Sequence, residues 1–519
     1  MTLRTWLLGA LFVLSYALGT PGYDVPALPF FCLAPFIALA IEAPSVRSAA
    51  WRGWVAGTAA SVPLYYWIAH TVAVTGKQGW PLGALAAFLV SAYVGAYFSV
   101  AAGAARRLHA RYGGKGLWAF PLVWVGVELA RSYLFSGFPW MLLGYTLAGS
   151  PFLRQSADLA GVAGLSFLLA LSSVSVCLSC SSVAARAWGR GLLLATPAAA
   201  AAAFLWAYGA ASHSAPGSAP TAGPSLVVGI AQGGIDQSVK WEPGNQEKTL
   251  DAYEELTRRA RDAGARVVVW PETAAPFFYG WDTGLTRRLD GIGARAGVPL
   301  LFGAPWYDPA AGGKVYNSVF HMDDRGVVRG RYDKRHLVPF GEYVPLRRIL
   351  FFVKKLTVGE NDFSAGAGPV LFEIAGARLA ASVCYEAIFP AVIRDGVAAG
   401  AGILVNVTND AWFGDTVAPR QHLAMARLRC VEFRRPMVRA ANSGISAVID
   451  SRGEVVASLG LFRRGIVTAE VVPGTVRTPC GKFGEMFAIS CSIIATLTLV
   501  FPLRGTHGIR MAGRKDRGA

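Results

Sequence analysis

The chain has 519 residues and a formal net charge of +17; 53% of its residues are apolar and only 16% are charged. Soluble domains average roughly 25% charged residues, so the composition excludes a wholly soluble protein. It also excludes a disordered one, because disorder requires low hydrophobicity. A pI near 9.8 is typical of many nucleic-acid-binding proteins, but the positions of the charges along the chain decide whether it indicates such a partner.

The basic excess is uneven along the chain. Residues 1–209 hold 12 basic and 4 acidic residues, residues 210–483 hold 32 and 26, and residues 484–519 hold 5 and 2. The sparse charge of the first block is typical of a membrane domain, whereas the second block is an ordinary charged globular domain. We therefore predict a membrane domain at 1–209, a linker at 210–224, a globular domain at 225–483, a transmembrane helix at 484–503 and a basic tail at 504–519.

Eight apolar runs approach the length of about 20 residues that spans a bilayer. The first also fits a secretory signal peptide, with Arg4 ahead of its apolar core, but no A-x-A cleavage site follows it. The second run is short and the seventh is rich in alanine. The sequence thus predicts a polytopic helical domain with about eight transmembrane helices, at Thr5–Leu18, Ala27–Ile41, Gly53–His70, Leu82–Ala105, Leu117–Leu134, Ala160–Val183, Gly191–Ala207 and Met486–Leu503.

The basic residues near these runs predict the orientation of the chain. With a cytoplasmic N-terminus, the outer short loops hold only Lys77 and Arg154. Basic residues concentrate on the cytoplasmic side of membrane proteins, so we expect the globular domain on the outer side and no nucleic-acid partner. The cytoplasmic segments would hold the fourteen residues Arg4, Arg47, Arg52, Arg106, Arg107, Arg111, Lys115, Arg186, Arg190, Arg504, Arg510, Arg514, Lys515 and Arg517.

Polar side chains within the runs have structural interpretations. Glu128 and Arg131 lie three residues apart on one helical face, which favours an ion pair that locks helices. Cys177 and Cys180 are small enough to pack between helices. The globular domain holds three further cysteines, so at least one is free, and pairing of Cys430 with Cys480 stays open.

Several motifs of other enzyme classes do not occur. The sequence contains no double C-x-x-C zinc motif, no H-E-x-x-H, no P-loop and no G-x-S-x-G. It therefore predicts neither a metal nor a cofactor.

From about Pro224 onward, short β-rich runs alternate with helical patterns, which favours an α/β layered domain. Predicted helices cover Asn245–Ala263, Ala387–Ala399 and Gln421–Phe433. Predicted strands cover Ser225–Ala231, Arg266–Trp270, Leu300–Ala304, Tyr316–His321, Val327–Tyr332, Leu379–Val383, Ile403–Val407, Met437–Ala441, Ser446–Ile449 and Ile466–Val471.

Three residues that directly follow predicted strands could form an acyl-transfer site. Glu272 follows a continuous apolar strand, where a carboxylate is costly unless it is paired or functional. Cys384 lies between a strand and a helix, where helix N-terminal N–H groups and a nearby lysine would lower the thiol pKa. Lys334 could supply that charge, and a carboxylate could take the thiol proton during attack.

Longer motifs around these residues resemble a known family. W-P-E-T at Trp270–Thr273, the run Y-D-K-R-H-L-V-P-F-G-E-Y-V-P at Tyr332–Pro345 and V-C-Y-E at Val383–Glu386 resemble the Glu–Lys–Cys motifs of the nitrilase superfamily. The second run, together with N-V-T-N-D-A-W-F-G-D at Asn406–Asp415, is similar to the apolipoprotein N-acyltransferase family, and so is G-F-P-W at Gly137–Trp140. Gly144-Tyr145 and Gly161–Gly164 match that family too.

That resemblance implies a fold and a set of site residues. The globular domain would be a four-layer αββα sandwich with Glu272 as general base, Lys334 as oxyanion stabiliser and Cys384 as nucleophile. The supporting residues would be Glu342, which would orient Lys334 or share its charge, and Glu386. The position of Tyr385 directly after Cys384 makes its backbone N–H a candidate for a second oxyanion donor. Further pocket or supporting positions would be Trp241, Asn317, Phe340, Trp412 and Arg439.

The resemblance also implies the reaction. A phospholipid, phosphatidylethanolamine by resemblance, would donate its sn-1 acyl chain through a Cys384 thioester. The acceptor would be the α-amino group of an S-diacylglyceryl-cysteine at the N-terminus of an apolipoprotein, at the outer face of the bacterial inner membrane. Membrane lipids would surround the enzyme. Two alternatives stay open: a membrane-tethered amidase that transfers acyl groups to water, and a non-catalytic scaffold.

One further segment could contact the bilayer. Arg347–Lys355 places four apolar residues between basic pairs, a pattern typical of an interfacial anchor but also of a short helix packed on the domain.

Overall fold

We describe the protein from a computed structural model, which covers residues 2–214, 224–242, 244–345, 348 and 362–501. The predicted anchor Arg347–Lys355, apart from Arg348, and the basic tail lie outside these residues. The helices are α1 Leu3–Leu18, α2 Leu33–Ile41, α3 Val46–Tyr65, α4 Trp67–His70, α5 Trp80–Tyr112, α6 Phe120–Tyr133, α7 Ala157–Ala184, α8 Trp188–Ser214, α9 Asn245–Asp262, α10 Thr283–Ala296, α11 Pro390–Ala398, α12 Ala418–Phe433, α13 Pro479–Phe483 and α14 Met486–Val500.

The N-terminal helices include fewer clear spans than the eight predicted. In the part of the chain that the structure describes, three helical stretches are long and apolar enough to cross a membrane: Trp80–Ser136, Ala157–Ala184 and Trp188–His213. The first contains both the fourth and the fifth predicted runs. Leu3–Leu18, Leu28–Ile41 and Met486–Val500 are apolar but shorter. Eight spans are therefore not confirmed, and α8 continues to Ser214, past the predicted start of the linker.

Small residues line the most extensive helix contact of this region, which joins α3 and α5. A Cβ added to Gly57 would lie 2.4 Å from the Phe98 Cβ, and one added to Gly95 would lie 2.2 Å from the Thr58 Oγ1. Only glycine permits this approach, as is usual where membrane helices pack tightly.

The predicted ion pair in α6 does not form. Glu128 Oε1 instead accepts hydrogen bonds from Trp124 Nε1 at 3.0 Å and from the Leu143 backbone N–H at 2.7 Å. Arg131 Nη2 donates to the Trp140 carbonyl oxygen at 2.8 Å. Both side chains are buried and tie α6 to the loop that follows it. All seven cysteines are free, so Cys430 and Cys480 are not paired.

Twelve strands form two six-stranded sheets in the C-terminal part of the described chain. The first sheet has the order β12-β1-β2-β3-β4-β5 and the second has the order β11-β10-β9-β8-β7-β6. The strands are β1 Leu226–Gln232, β2 Val267–Val269, β3 Leu300–Asp308, β4 Lys314–Met322, β5 Val328–Asp333, β6 Leu371–Ile374, β7 Ala377–Val383, β8 Ile403–Thr408, β9 Met437–Ala441, β10 Ser446–Ile449, β11 Val455–Leu459 and β12 Gly465–Val471.

The two sheets face each other across an apolar core. That core combines Ile230 and Val269 of the first sheet with Val405 and Val438 of the second. The outer face of the first sheet packs against α9 and α10, and the outer face of the second packs against α11 and α12. The layers are therefore αββα. β1, β2 and β3 are adjacent and parallel, as are β7, β8 and β9, which puts their carboxyl ends at one edge of each sheet.

Most predicted elements of this domain are present, and one is displaced. Four elements were not predicted: α10, α13, β6 and β11. β11 is half-exposed along its length and pairs at the edge of its sheet, and Ser458 interrupts its short apolar run after Ala457. The helix predicted from Ala387 begins instead at Pro390, after a 3-10 turn over Cys384–Ile388. Proline is favoured in the first turn of a helix because it has no N–H to satisfy.

Buried polar contacts join the membrane region to the outer layer of the sandwich. Glu432 Oε1, at the end of α12, accepts the Val162 N–H at 2.9 Å, and Arg434 forms a 2.5 Å ion pair with Asp158. One hydrophobic core includes Phe36 and Trp124 from the membrane helices together with Met425 from α12. The αββα domain is thus held against the membrane helices by both charge and packing.

Candidate active site

Glu272 lies in a tight turn directly after β2, next to β3. Gly303 of β3 permits this, because a Cβ there would lie 2.6 Å from the Pro271 carbonyl oxygen and 2.8 Å from the Glu272 Cα. The carboxylate is 8% exposed and accepts a 2.7 Å hydrogen bond from Asn317 Nδ2. Asn317 reaches it from β4, two strands away in the same sheet.

Lys334 and Glu342 lie beside this carboxylate. Lys334 follows β5 and is 1% exposed; its Nζ lies 2.9 Å from Glu342 Oε2 and 4.0 Å from Glu272 Oε1. Asn317 Nδ2 donates to Glu342 as well, at 2.9 Å. The ammonium and the amide therefore hold two carboxylates side by side in a buried site.

Burial and neighbouring charge act against each other on these groups. Burial raises the pKa of Glu272 above its usual range, although Lys334 opposes this shift. Burial lowers the pKa of Lys334, but the Glu342 and Glu272 carboxylates outweigh it and leave the net pKa raised. Lys334 is thus a permanent cation, whereas Glu272 is a stronger base than an ordinary carboxylate.

Cys384 follows β7 in the second sheet, in an unusual backbone conformation. Its φ of 51° is in the left-handed region, which non-glycine residues enter at a cost. The Cys384 carbonyl oxygen accepts hydrogen bonds from His422 Nε2 at 3.1 Å and from Asn406 Nδ2 at 3.4 Å. These two donors hold the strained residue in place.

The expected lowering of the Cys384 thiol pKa is not found. Burial raises this pKa well above its ordinary value and the Glu272 carboxylate adds to the rise; Lys334 and a hydrogen bond to Thr408 oppose them without reversing the shift. The residues that follow form a short 3-10 turn, and α11 begins only at Pro390. A long helix N-terminus therefore does not face the sulfur, and the resting group is a thiol.

Glu386 connects the cysteine turn to the lysine segment. Its fully buried carboxylate accepts the Val383 N–H at 2.7 Å, ahead of Cys384, and the Arg335 N–H at 2.6 Å, just after Lys334. It also accepts the Tyr332 hydroxyl at 2.9 Å. The Glu386 carboxylate thus links the segment after β5, which carries Lys334, to the end of β7, which precedes Cys384, and fixes the two residues relative to each other.

Behind Cys384 lies a buried polar network that the sequence analysis only partly identified. Arg439 donates to Asp410 Oδ2 at 2.6 Å and to Asn406 Oδ1 at 2.5 Å. His422 Nδ1 lies 3.1 Å from both Asp410 Oδ1 and Arg439 Nη2. Because His422 Nε2 faces a carbonyl oxygen, that nitrogen must carry a hydrogen. Arg439 therefore belongs to a buried network behind Cys384.

Tyr385 joins the site to the membrane region. Its hydroxyl donates to the Gly137 carbonyl oxygen at 3.2 Å, and its ring stacks on Trp140 with centroids 6.5 Å apart. Trp140 also contacts the His422 ring and donates to Gln421 at 2.7 Å. The G-F-P-W segment from the sequence analysis therefore packs directly against the turn that carries Cys384.

The remaining predicted pocket residues lie in three separate loops. Trp241 is half-buried in the turn before α9. Phe340 is 43% exposed at a φ of 60° in the loop that carries Glu342. Trp412 is half-buried, and its carbonyl oxygen accepts the Thr71 and Thr75 hydroxyls at 3.0 and 3.1 Å. Among the described residues, none of these three side chains makes a hydrogen bond or charge contact with Glu272, Lys334 or Cys384.

A cavity of about 380 Å³ lies beside this site, between α6, α7, α11 and α14. His336 and Phe389 line it, whereas Glu272, Lys334 and Cys384 do not. It therefore borders the cysteine turn from the membrane side.

Five residues of the site were not predicted individually: Lys240, Asn406, Thr408, Asp410 and His422. Thr408 and Asp410 lie in the N-V-T-N-D run, so their polar character after an apolar strand was a usable signal. His422 lies inside a helix and Lys240 in a turn, and neither position carries a local signal. Only the tertiary contacts identify them.

Comparisons with known proteins match both parts of the chain. Residues 8–175 match the model of the apolipoprotein N-acyltransferase N-terminal domain, and residues 227–478 match that of the carbon-nitrogen hydrolase family. Among solved structures, an amidase from Nesterenkonia sp. is 19% identical, with a TM-score of 0.36 over 49% of this chain and 94% of the amidase.

Two curated relatives align with nearly the whole chain. The apolipoprotein N-acyltransferase of Geobacter metallireducens is 38% identical over 514 residues, which are 96% of this chain and 96% of that protein. The apolipoprotein N-acyltransferase of Methylococcus capsulatus is 35% identical, over 88% of this chain and 91% of its own length. The chain therefore belongs to the apolipoprotein N-acyltransferase family.

Proposed function

We propose that the chain is a membrane-bound acyltransferase that moves an acyl chain from a phospholipid to the N-terminal α-amino group of an S-diacylglyceryl apolipoprotein. The contact of Tyr385 and its neighbours with the membrane helices carries this proposal. Tyr145 of the membrane region donates to the Ile388 carbonyl oxygen at 3.4 Å, and Tyr385 donates to that of Gly137. A site built against membrane helices suits substrates that are anchored by acyl chains.

In the first half-reaction, Glu272 takes the Cys384 thiol proton while the sulfur attacks the sn-1 ester carbonyl. The raised thiol pKa suits this coupled transfer, because no thiolate is stored beforehand. Lys334 and the Tyr385 backbone N–H stabilise the oxyanion. When the intermediate collapses, the lysophospholipid oxygen leaves with the proton from Glu272, and a thioester stays on Cys384.

In the second half-reaction, the α-amino group attacks the thioester carbonyl. Glu272 accepts a proton from the nitrogen, Lys334 again stabilises the oxyanion, and the departing sulfur regains a proton from Glu272. The product is an amide, and the cysteine is free for another cycle. Glu342 and Asn317 hold Lys334 and Glu272 in place throughout.

The remaining assignments belong to the same proposal. The enzyme would lie in the bacterial inner membrane and cross it with about eight helices. These helices belong to a membrane domain at 1–209 and a C-terminal helix at 484–503. Residues 225–483 would form the catalytic domain on the periplasmic side. The 210–224 segment links the domains and 504–519 forms a cytoplasmic tail. Phosphatidylethanolamine is the expected donor. Trp241, Phe340 and Trp412 contribute to the substrate pocket, and Glu386 and Arg439 support the site.

A match to the carbon-nitrogen hydrolase family favours a second candidate, an amidase that releases the acyl group to water. One experiment separates the two. Purified protein is incubated with phosphatidylethanolamine, and the mass of the Cys384 peptide is measured before and after addition of an S-diacylglyceryl-cysteine peptide. We expect a stable acyl adduct that only the peptide discharges, with formation of an amide. An adduct that water discharges would support the amidase, and no adduct would contradict both.

A further inference from the structure

Lys240 is a fully buried lysine that the proposed chemistry does not use. It lies in the turn between β1 and α9, and its side chain is 0% exposed. Lysines are almost never fully buried unless they are paired. Its Nζ donates to Thr273 Oγ1 at 2.8 Å and to the Glu272 carbonyl oxygen at 3.4 Å. Both partners belong to the turn that carries the proposed base.

That turn is strained. Thr273 has a φ of 49°, and the left-handed region is especially costly for a β-branched residue. Strain of this kind persists only where surrounding contacts hold it. Gly303 allows β3 to approach one side of the turn, and Lys240 binds two of its oxygen atoms. The lysine is therefore in position to determine where the Glu272 carboxylate points.

The charge balance of the site also involves Lys240. Glu342 takes the short contacts of Lys334, at 2.9 and 3.0 Å, which leaves Glu272 at 4.0 Å from the same ammonium. Burial lowers the pKa of Lys240 to about 7, against the opposing effect of Glu272. Burial raises the pKa of Glu272 and Glu342 adds to the rise, whereas Lys334 lowers this pKa, with smaller contributions in the same direction from the Asn317 hydrogen bond and from Lys240.

We propose that Lys240 is a positioning residue for Glu272: its Nζ holds the Glu272–Thr273 turn through the Thr273 hydroxyl and the Glu272 carbonyl oxygen, and in its protonated form it adds positive charge beside the Glu272 and Glu342 carboxylates. The inference rests on the proposed function, in which Glu272 takes the thiol proton. Lys240 acts through Glu272 and needs no contact with substrate.

The test measures the single-turnover rate of acyl-adduct formation on Cys384 with phosphatidylethanolamine between pH 5 and 9, in the full-length protein. Lys240→Met removes the charge, and Lys248→Met is the control, because Lys248 is exposed on α9. In the plot of rate against pH, the rate falls at low pH, and we call this part the acid limb. We expect the acid limb of Lys240→Met to lie about one pH unit higher than that of the wild type, because loss of a nearby positive charge raises the pKa of a carboxyl group. The rate at pH 6 should fall about tenfold or more, with a smaller loss at pH 8.

An acid limb of Lys240→Met that matches the wild-type limb would overturn the inference, even if the rate falls uniformly. Thr273→Val and Thr273→Ser provide a milder pair in case the lysine variant does not fold. Valine keeps the shape but removes the hydroxyl acceptor, so only Val should slow the reaction at low pH; equal rates would contradict the role. No adduct in the wild type would instead overturn the proposed function itself, and this role with it.

Discussion

The two sides of the candidate site are held in different ways. On the first sheet, the side chains of Glu272, Lys334 and Glu342 are fixed by direct hydrogen bonds and charge contacts with one another. On the second sheet, the Cys384 side chain has few partners, and its backbone carbonyl is held by His422 and Asn406. The acid–base side therefore depends on charge, and the nucleophile side depends on backbone position.

The sharpest test of the nucleophile side is Cys384→Ala. We expect complete loss of the acyl adduct and of amide formation, because no other group can carry the thioester. The adduct is measured by peptide mass and the amide by transfer to the acceptor peptide. Cys180→Ala is the control, since this cysteine is exposed on α7. An adduct that persists in Cys384→Ala would place the nucleophile elsewhere.

On the acid–base side, Glu272→Gln should reduce the rate of adduct formation about 10²- to 10⁴-fold, the usual contribution of a general base. The wild-type rate should fall as the pH drops through a Glu272 pKa above the ordinary carboxyl value, because the base must be ionised and burial raises its pKa. The Glu272→Gln variant should not show this fall in rate at low pH, because its amide does not titrate. The exposed Glu373→Gln on β6 should behave like the wild type. A retained acid limb in Glu272→Gln would assign it to another group.

Asn317→Leu tests whether the two carboxylates need their shared donor. Both would lose a buried hydrogen bond, each worth about 1.5–3 kcal/mol when one partner is charged. We expect a rate loss of about 10- to 100-fold and an acid limb at higher pH, since the amide lowers the pKa of Glu272. Quenching the reaction at successive times and at several pH values gives both the rate of adduct formation and the position of the acid limb. A pH profile of unchanged shape would show that Asn317 acts only in folding.

The smallest effect on the rate of adduct formation is expected for substitutions of His422, which holds the backbone of Cys384. Glutamine can place a donor near the position of the His422 Nε2, whereas asparagine is too short to reach the Cys384 carbonyl. We expect His422→Asn to slow adduct formation about tenfold, equivalent to about 1.4 kcal/mol for one lost hydrogen bond, and His422→Gln to slow it less. The same order should appear in the rate of Cys384 alkylation. Equal rates for the two variants would remove the positioning role.

Much of this architecture could be predicted because the relevant signals are local. β9 and β10 begin and end at the predicted residues, and α9 ends within one residue of its prediction. Continuous apolar runs and helical periodicity specify such elements without reference to the rest of the chain. The family itself was evident from motifs that place Glu272, Lys334 and Cys384 after strands, and the comparisons confirm it.

Sequence patterns could not predict side-chain partners or pKa values that depend on residues distant in the chain. The ion pair expected between Glu128 and Arg131 does not form, because each side chain finds backbone or indole partners that no periodicity reveals. The thiol pKa expected to be lowered is raised, because burial outweighs Lys334. The number of spans is not confirmed, because several of the predicted apolar runs correspond to helices shorter than a full span.

The sequence by itself determined the membrane character of the N-terminal block, the order of the strands and helices, and the residue types available for acyl transfer. These depend on composition, periodicity and short motifs, which are properties of neighbouring residues. Only the tertiary structure decided the protonation of Cys384, the contact of Tyr385 with the membrane helices and the position of Lys240 behind Glu272. Burial and charge coupling depend on residues brought together from distant parts of the chain, and no segment carries them alone.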